Sequence, residues 1–378
     1  MNALDETLFH FSELVGKTIF NHDIMHCTSD DVVGNQYYSG RALCLTQPGD
    51  FIQMHPHISS EWPYITEHYD RIGLYYSTNA IWDTSYRYFM ENPDYAASVF
   101  FYSTSVDMVV HNKSWYEVVS YINSKNNFMA LAEQLNLDVP QTHCFDGKGK
   151  LGDLKALPYP CYAKAAISVS GTGIFRCADE NELREALKQF EPETPIQIQQ
   201  EVNTNQFLNV QYEVIDKKLH RLAITEQVLK GFAHQGNRYP ASYEPWDSVE
   251  PMAEWMLEEG MQGIFAFDVG VVESEHGMRF MPIECNPRYN GASYPTAVAN
   301  KLGIKQWIAL NMDTSIQSLA DIDLSGIEYD PQTGEGVVIF NWGCVQAGKL
   351  GVLIAGDRHT QKGFTNELQK RLCLLQAS

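Results

Sequence analysis

Two apolar segments, GIFAFDVGVVE (263–273) and MRFMPIECN (278–286), flank the turn-like stretch SEHG, and each carries one acid in its interior. So short a connection reads as a β-hairpin, because parallel neighbours need a long crossover. A second antiparallel pair is expected from NQFLNVQYEVID (205–216) and LHRLAITEQVL (219–229), joined by a turn at Asp216, Lys217 and Lys218. Hairpins mixed with helices point to α+β rather than to a doubly wound parallel sheet.

The segments around these pairs fit that class. From Lys125 the pattern FMALAEQLNL places apolar residues at helical spacing, and Pro140 stops it. YPCYAKAAI and GIFRCA read as short strands on either side of SVSGTG (168–173). Asp179 and Glu182 can cap a helix over NELREALKQF, IQIQQEV alternates like a strand, and a further helix is expected over 247–260. Residues 1–122 mix short apolar runs (ALCLT, IGLYY, ASVFFYS) with long polar and aromatic connections, as an α/β domain with long loops does, and no strand order follows from them. The tail after residue 318 offers two more strand-like runs and a terminal helix. Four segments are therefore expected: 1–122, 123–203, 204–318 and a C-terminal extension, 319–378, packed on the central core.

Composition narrows the function classes. With 44% hydrophobic residues in 378, packed cores are affordable and disorder is excluded. Lys and Arg number 27 against 47 Asp and Glu, a formal charge of -20 that repels nucleic acid and anionic lipid over most of the surface. Any anion site must therefore be a local concentration of basic side chains. No run of about 18 apolar residues spans a membrane, and the acidic start MNALDETLFHFSEL is unlike a secretory signal, so a cytoplasmic protein is expected. The eight cysteines form no C-x-x-C pair and are expected as buried free thiols.

Against that acidic background, individual charges inside apolar strands stand out. Asp268 and Glu284 are costly there unless partnered, and Asn286 shares a face with Glu284. Two carboxylates and an amide oxygen suit Mg²⁺, although a structural acid pair at a strand end has the same pattern. Arg288, fixed by Pro287, could hold a phosphoryl oxygen or lie on the surface. Lys164, inside YPCYAKAAI, needs an anion nearby, whereas Lys125 opens a helix, where lysines ordinarily face solvent. Ser168, Ser170, Gly171 and Gly173 could form a phosphate cover or a plain hairpin turn, and the P-loop pattern is absent. The clusters His22, His26, Cys27 and His55, His57 have no recognised metal-ligand spacing.

Taken in order, NSKNNFMALAEQLNLDVP, YAKAAISVSGTGIFR, IQIQQEV, GIFAFDVGVVE and IECNPRYNGASYP resemble the ATP-grasp superfamily over roughly 120–312. The resemblance implies ATP held between two α+β subdomains, preceded by an N-terminal α/β domain, with Mg²⁺, or Mn²⁺ in its place. It assigns Asp268, Glu284 and Asn286 to the metal, Lys125 and Lys164 to the phosphates, and Arg288 to the transferring phosphoryl group. The loop residues Ser168, Ser170, Gly171 and Gly173 would close over the nucleotide, and Gln200, Glu201 and Val202 would line the adenine. The family's usual acid for the ribose is missing from NTNQF, so Asn205 or Gln206 would substitute or water would fill the gap. The activity it implies is an ATP-dependent carboxylate–amine ligase, working through an acyl phosphate on small carboxylate and amine substrates such as amino acids. A silent ATP-binding scaffold and an ATP-grasp carboxylase or kinase are the alternatives. A homodimer is compatible with the resemblance, neither nucleic acid nor membrane is an expected partner, and loop residues His234, Arg238 and Tyr239 are candidates to touch a substrate carboxylate.

Overall fold

The computed structural model describes residues 17–28, 33–167, 173–204, 206–230 and 233–373. The chain gathers into two units, the first comprising Met1–Phe101, Met108–His111 and Gly291–Ser378, the second Tyr102–Asp107 and Asn112–Asn290. Residues 291–318 thus group with the N-terminal segment and the tail, while 123–203 and 204–290 share one unit. The helix Ser293–Leu302 accounts for the first of these, since its buried face packs on the 3-10 segment Asn35–Leu45.

The first unit opens with four parallel strands, β1 (Thr18–Asn21), β2 (Phe51–Gln53), β3 (Ala80–Ile81) and β4 (Ala96–Val99), in the order β3-β2-β1-β4. Ile19 and Ile52 are fully buried and Asn21 reaches across to Gln53, Nδ2 to Oε1 at 3.2 Å. The run ALCLT, apolar enough for a strand, instead lies mostly in the 3-10 segment.

The second unit contains two antiparallel sheets. The smaller consists of β5 (Thr142–Phe145), β6 (Cys161–Ala165), β7 (Ile174–Cys177) and β8 (Ile196–Gln200), in the order β5-β8-β6-β7. Its core is Cys161, Ala163, Ile196 and Ile198 against Leu183 and Phe190. The helix Glu180–Leu187 starts where Asp179 accepts from the amides of Asn181 and Glu182, while Glu182 accepts from Ala178, one residue before the cap.

The larger sheet consists of β9 (Phe207–Ile215), β10 (Lys218–Lys230), β11 (Ala233–Tyr239), β12 (Gly263–Ser274) and β13 (Gly277–Asn286). Pairing runs β13-β12-β9-β10-β11, antiparallel throughout. Asp216 and Lys217 turn the chain between β9 and β10 at φ 50° and 59°. One face of this sheet carries Leu208, Val210, Tyr212, Phe265 and Phe267, all fully buried. The helix Glu250–Glu258 contributes buried Met252 and Met256. At roughly 1.5–3 kcal/mol for each large side chain removed from water, this apolar face holds the sheet and leaves the other free for polar groups. Residues 233–239, expected as part of a loop, form strand β11, because the polar run HQGNRY pairs with β10.

The chain returns to the first unit with β14 (Trp307–Asp313), β15 (Gly336–Asn341) and β16 (Lys349–Ala355), antiparallel in the order β14-β16-β15, and ends in the helix Arg358–Cys373. Gly336 has φ 124°, and a Cβ there would come within 2.5 Å of the Glu328 carbonyl oxygen, so only glycine fits. All eight cysteines are free, but Cys144 and Cys373 are exposed and Cys27 is only half-buried. Among the described residues no helix is long and apolar enough to cross a membrane.

Candidate active site

The polar face of the larger sheet carries a line of side chains inside the second unit. Alternation puts Asp268 of β12 on that face, directly opposite Glu284 of β13 and Asn209 of β9 in register. A β-bulge at Asp268/Val269 adjusts the pairing there. Asp268 accepts three side-chain hydrogen bonds: from Asn209 Nδ2 at 2.8 Å, Gln227 Nε2 at 2.7 Å and Asn286 Nδ2 at 3.1 Å. Burial, and then the negative charge of Glu284, raise its carboxyl above the ordinary carboxylate range, against the pull of the amides and Arg288.

Glu284 is the opposite case. Burial would raise it too, but Lys125, Lys164 and Arg288 outweigh that and hold it well below the usual range. Its Oε2 lies 3.0 Å from Lys125 Nζ. Lys125 is buried, not solvent-facing as helix-opening lysines usually are. Its position is fixed by backbone bonds: its amide donates to the Ala166 carbonyl at 2.7 Å, and its carbonyl accepts from Gln197 Nε2 at 2.9 Å. Ser124 caps the same helix.

Lys164 points from β6 into the same region, buried, with Nζ donating to Gln199 Oε1 at 2.7 Å. Burial lowers its ammonium to about 8, Glu284 opposes the shift and Lys125 adds to it. Arg288 follows β13 and is anchored through Nη1 on Asn123 Oδ1 at 3.2 Å.

The structure therefore brings Lys125, Lys164, Asp268, Glu284, Asn286 and Arg288 into one electrostatic cluster. Glu201 spends its side chain on Arg176, at 2.7 and 2.8 Å, and on Tyr162 at 2.9 Å. The Gln200 side chain is exposed, Val202 is half-buried beside Gly270, and Gln206 donates to Glu226 at 3.3 Å. Gly173 has the left-handed φ of 77°. Ser168, Ser170, Gly171 and Asn205 lie outside the described residues. His234 is tied to Asn237 at 2.7 Å within β11.

Four amides that sequence reasoning passed over shape the cluster: Asn209 and Gln227 hold Asp268, Gln199 holds Lys164 and Gln197 holds Lys125. Their signal lay in the alternation itself. In NVQYEV Asn209 and Gln211 alternate with Val210, Tyr212 and Val214, and in IQIQQ Gln197 and Gln199 alternate with the buried Ile196 and Ile198.

The donor set can be tested against a divalent cation. Two carboxylates and the Asn286 amide supply only oxygen ligands, as Mg²⁺ requires, with further positions left to phosphate and water. Asn209 Oδ1 is buried without a partner and adds to an excess of acceptors. The set fits Mg²⁺. It does not suit a soft metal, and no group of three His, Cys, Asp or Glu among the described residues is arranged to hold one. The histidines of 22–27 and 55–57 do other work: His22 bonds Tyr294 and Ser98, and His55 packs against His57.

No protein-family model matches this sequence. No curated protein matches it either. Solved structures do match in three dimensions. N5-carboxyaminoimidazole synthetase from Staphylococcus aureus, complexed with ADP, superposes at a TM-score of 0.61 and 10% identity, over 94% of this chain and 97% of that one. Carboxyaminoimidazole ribonucleotide synthase from Aspergillus clavatus, complexed with ATP, gives 0.61 at 11% identity, over 94% and 98%. L-amino acid ligase from Bacillus licheniformis gives 0.54 at 14% identity, over 95% and 98%. The fold they share with this chain is the ATP-grasp fold.

Proposed function

We propose that this protein is an ATP-dependent ligase that joins a carboxylate to an amine, releasing ADP and phosphate. The observation that carries the reading is the cluster itself: two buried lysines and an arginine converging on a pair of carboxylates in a chain of charge -20. A structural acid pair needs one cation, and this one has three in electrostatic range. The surplus positive charge suits a polyphosphate.

Asp268, Glu284 and Asn286 would hold Mg²⁺, which when bound offsets charge on the phosphates. The chain's own groups do the rest. Lys125 and Lys164 bind and orient the phosphates from two sides. Arg288 is placed to stabilise charge on the transferring phosphoryl group. A carboxylate oxygen of the acid substrate attacks the γ-phosphorus, the bond to the β–γ bridging oxygen breaks, and ADP leaves. The amine nitrogen then attacks the acyl carbon, phosphate departs with the carbonyl–oxygen bond's electrons, and the amine's proton passes to solvent. No side-chain nucleophile is needed. Gln197, Gln199, Asn209 and Gln227 are positioning residues, since each acts by holding a cluster member.

The test is release of ADP and phosphate with Mg-ATP over a panel of amino acids, small organic acids and bicarbonate, singly and in pairs, beside Glu284→Gln. The ligase reading expects release that depends on one acid–amine pair, a condensation product of matching mass, and loss of both in the variant. Release of AMP and pyrophosphate would sink it, and stimulation by bicarbonate with a carboxylated product would make the protein a carboxylase.

A further inference from the structure

The first unit contains a cation that the proposed reaction leaves unexplained. Arg41, in the 3-10 segment Asn35–Leu45, is 8% exposed. Its guanidinium carbon lies 4.5 Å from the ring centres of Phe100 and Tyr294 and 5.0 Å from that of Tyr38. A guanidinium stays charged at every pH the protein meets, so burying it without a counter-ion is costly. Among the described residues no carboxylate pairs with it. The groups its charge reaches are His22, Tyr38, Cys44, Tyr294 and Cys344, and burial keeps them neutral, pushing both thiols up to about 12 and His22 well below its ordinary value.

Two of its nitrogens, Nε and Nη2, are buried with no hydrogen-bond partner. They form one edge of the guanidinium, the edge that holds a carboxylate side-on elsewhere in this chain. Arg176 donates from Nε and Nη2 to the two oxygens of Glu201 at 2.7 and 2.8 Å, and Arg279 uses the same two atoms on Asp138. The geometry is that of a planar fork meeting a planar acid.

The location points the same way. Phe100 directly follows β4 and His22 directly follows β1. His22 links the two strands, with Nε2 3.0 Å from Ser98 Oγ in β4 and Nδ1 2.9 Å from the hydroxyl of Tyr294. In the order β3-β2-β1-β4 the chain leaves β1 toward β2 on one side and later places β4 on the other. The carboxyl ends of β1 and β4 are therefore the topological switch point, where open parallel sheets bind ligands.

We infer that Arg41 anchors a small organic acid in the first unit, its carboxylate side-on against Nε and Nη2 and its body beside Tyr38, Phe100 and Tyr294. This inference does not rest on the ligase reading, because binding there needs neither ATP nor metal.

The test is calorimetric titration of the full chain, without nucleotide, with amino acids and small organic acids, each beside its primary amide. An acid that binds while its amide does not is the expected result, and Arg41→Lys should weaken that acid about tenfold or more, because an ammonium cannot replace the fork. Arg41 is buried, so a thermal melt must first show the variant folded. Where it is not, Phe100→Leu removes one ring over the guanidinium while keeping the charge, and must itself weaken binding. Equal binding of acid and amide, no binding by any acid of the panel, or unchanged affinity in the folded variant overturns the inference. Adding Mg-ATP separates the sources of the acid: one that is consumed is a substrate, and one that stays bound and unchanged is an effector.

Discussion

Glu328 allows a stability prediction worked from geometry. It joins segments of the first unit distant in sequence: its Oε1 accepts from His68 Nδ1 at 2.7 Å and from Arg71 Nη2 at 2.8 Å, and its Oε2 from Arg71 Nε at 3.0 Å. His68 Nε2 in turn accepts from the backbone of Ile339 at 3.1 Å, which fixes the imidazole as the Nδ1–H tautomer. Burial would raise the Glu328 carboxyl, but the bonds from His68 and Arg71 prevail and hold it down to about 2, against an ordinary value of 4.5. A folded-state value below the unfolded one stabilises the fold above the unfolded pKa, and that contribution is lost as pH falls through the folded pKa. The gap of about 2.5 units corresponds to roughly 3.4 kcal/mol at neutral pH. The Arg71 side chain is 53% exposed, so solvent screening reduces this to roughly 1.5–2.5 kcal/mol. Glu328→Gln keeps the shape and an accepting oxygen but removes the charge. Urea unfolding should find the variant less stable by that amount near neutral pH, with the difference narrowed by about half near pH 3. A difference that is the same at both pH values, or a neutral-pH loss under about 0.5 kcal/mol, would refute the electrostatic account.

Two further outcomes follow from the cluster in the second unit. Lys164→Met removes a buried ammonium of similar length, so the free protein should be no less stable by thermal melt, while the melting shift produced by Mg-ATP should largely disappear. An undiminished shift would show that Lys164 does not meet the nucleotide. Asn209→Leu takes one of three amide donors from Asp268, and the Mg²⁺ concentration for half-maximal ADP release should rise about tenfold or more with little change at saturating metal. An equal loss at all metal concentrations would mean that Asn209 acts elsewhere.

The acid-bearing hairpin was legible in the sequence because its evidence is local: two apolar runs, a short turn, and acids at positions that alternation puts on one face. The same holds for the turn at Asp216 and Lys217 and for the cap at Asp179. Lys125 was not legible, because nothing in its neighbours distinguishes a solvent-facing helix start from one whose amide is bound by Ala166 and whose ammonium is claimed by Glu284. The division of the chain into units was hidden for a similar reason. The helix Ser293–Leu302 follows directly on the acid strand, but its buried face belongs against Asn35–Leu45, a long-range packing that no local pattern encodes. Strand β11 was missed because HQGNRY carries the polar alternation of an outward face and the composition of a loop.

Both units place buried cations where the chain itself supplies too little negative charge. In the second, Lys125, Lys164 and Arg288 hold the Glu284 carboxyl low, while burial, and then the charge of Glu284, raise that of Asp268. In the first, Arg41 has three aromatic rings and, among the described residues, no acid. A protein with 20 surplus acids does not lack carboxylates to place beside these groups. Folding that leaves two nitrogens of Arg41 without a hydrogen-bond partner forgoes stability, since a buried charge that is not fully matched costs several kcal/mol. That cost is recovered when an anion arrives from solution, so such a site stabilises the fold when occupied and discriminates by charge and shape when it is not. The two sites differ in the anion they would take. The ammonium groups are point charges suited to a flexible polyphosphate, whereas the free edge of a guanidinium is a planar fork suited to a carboxylate.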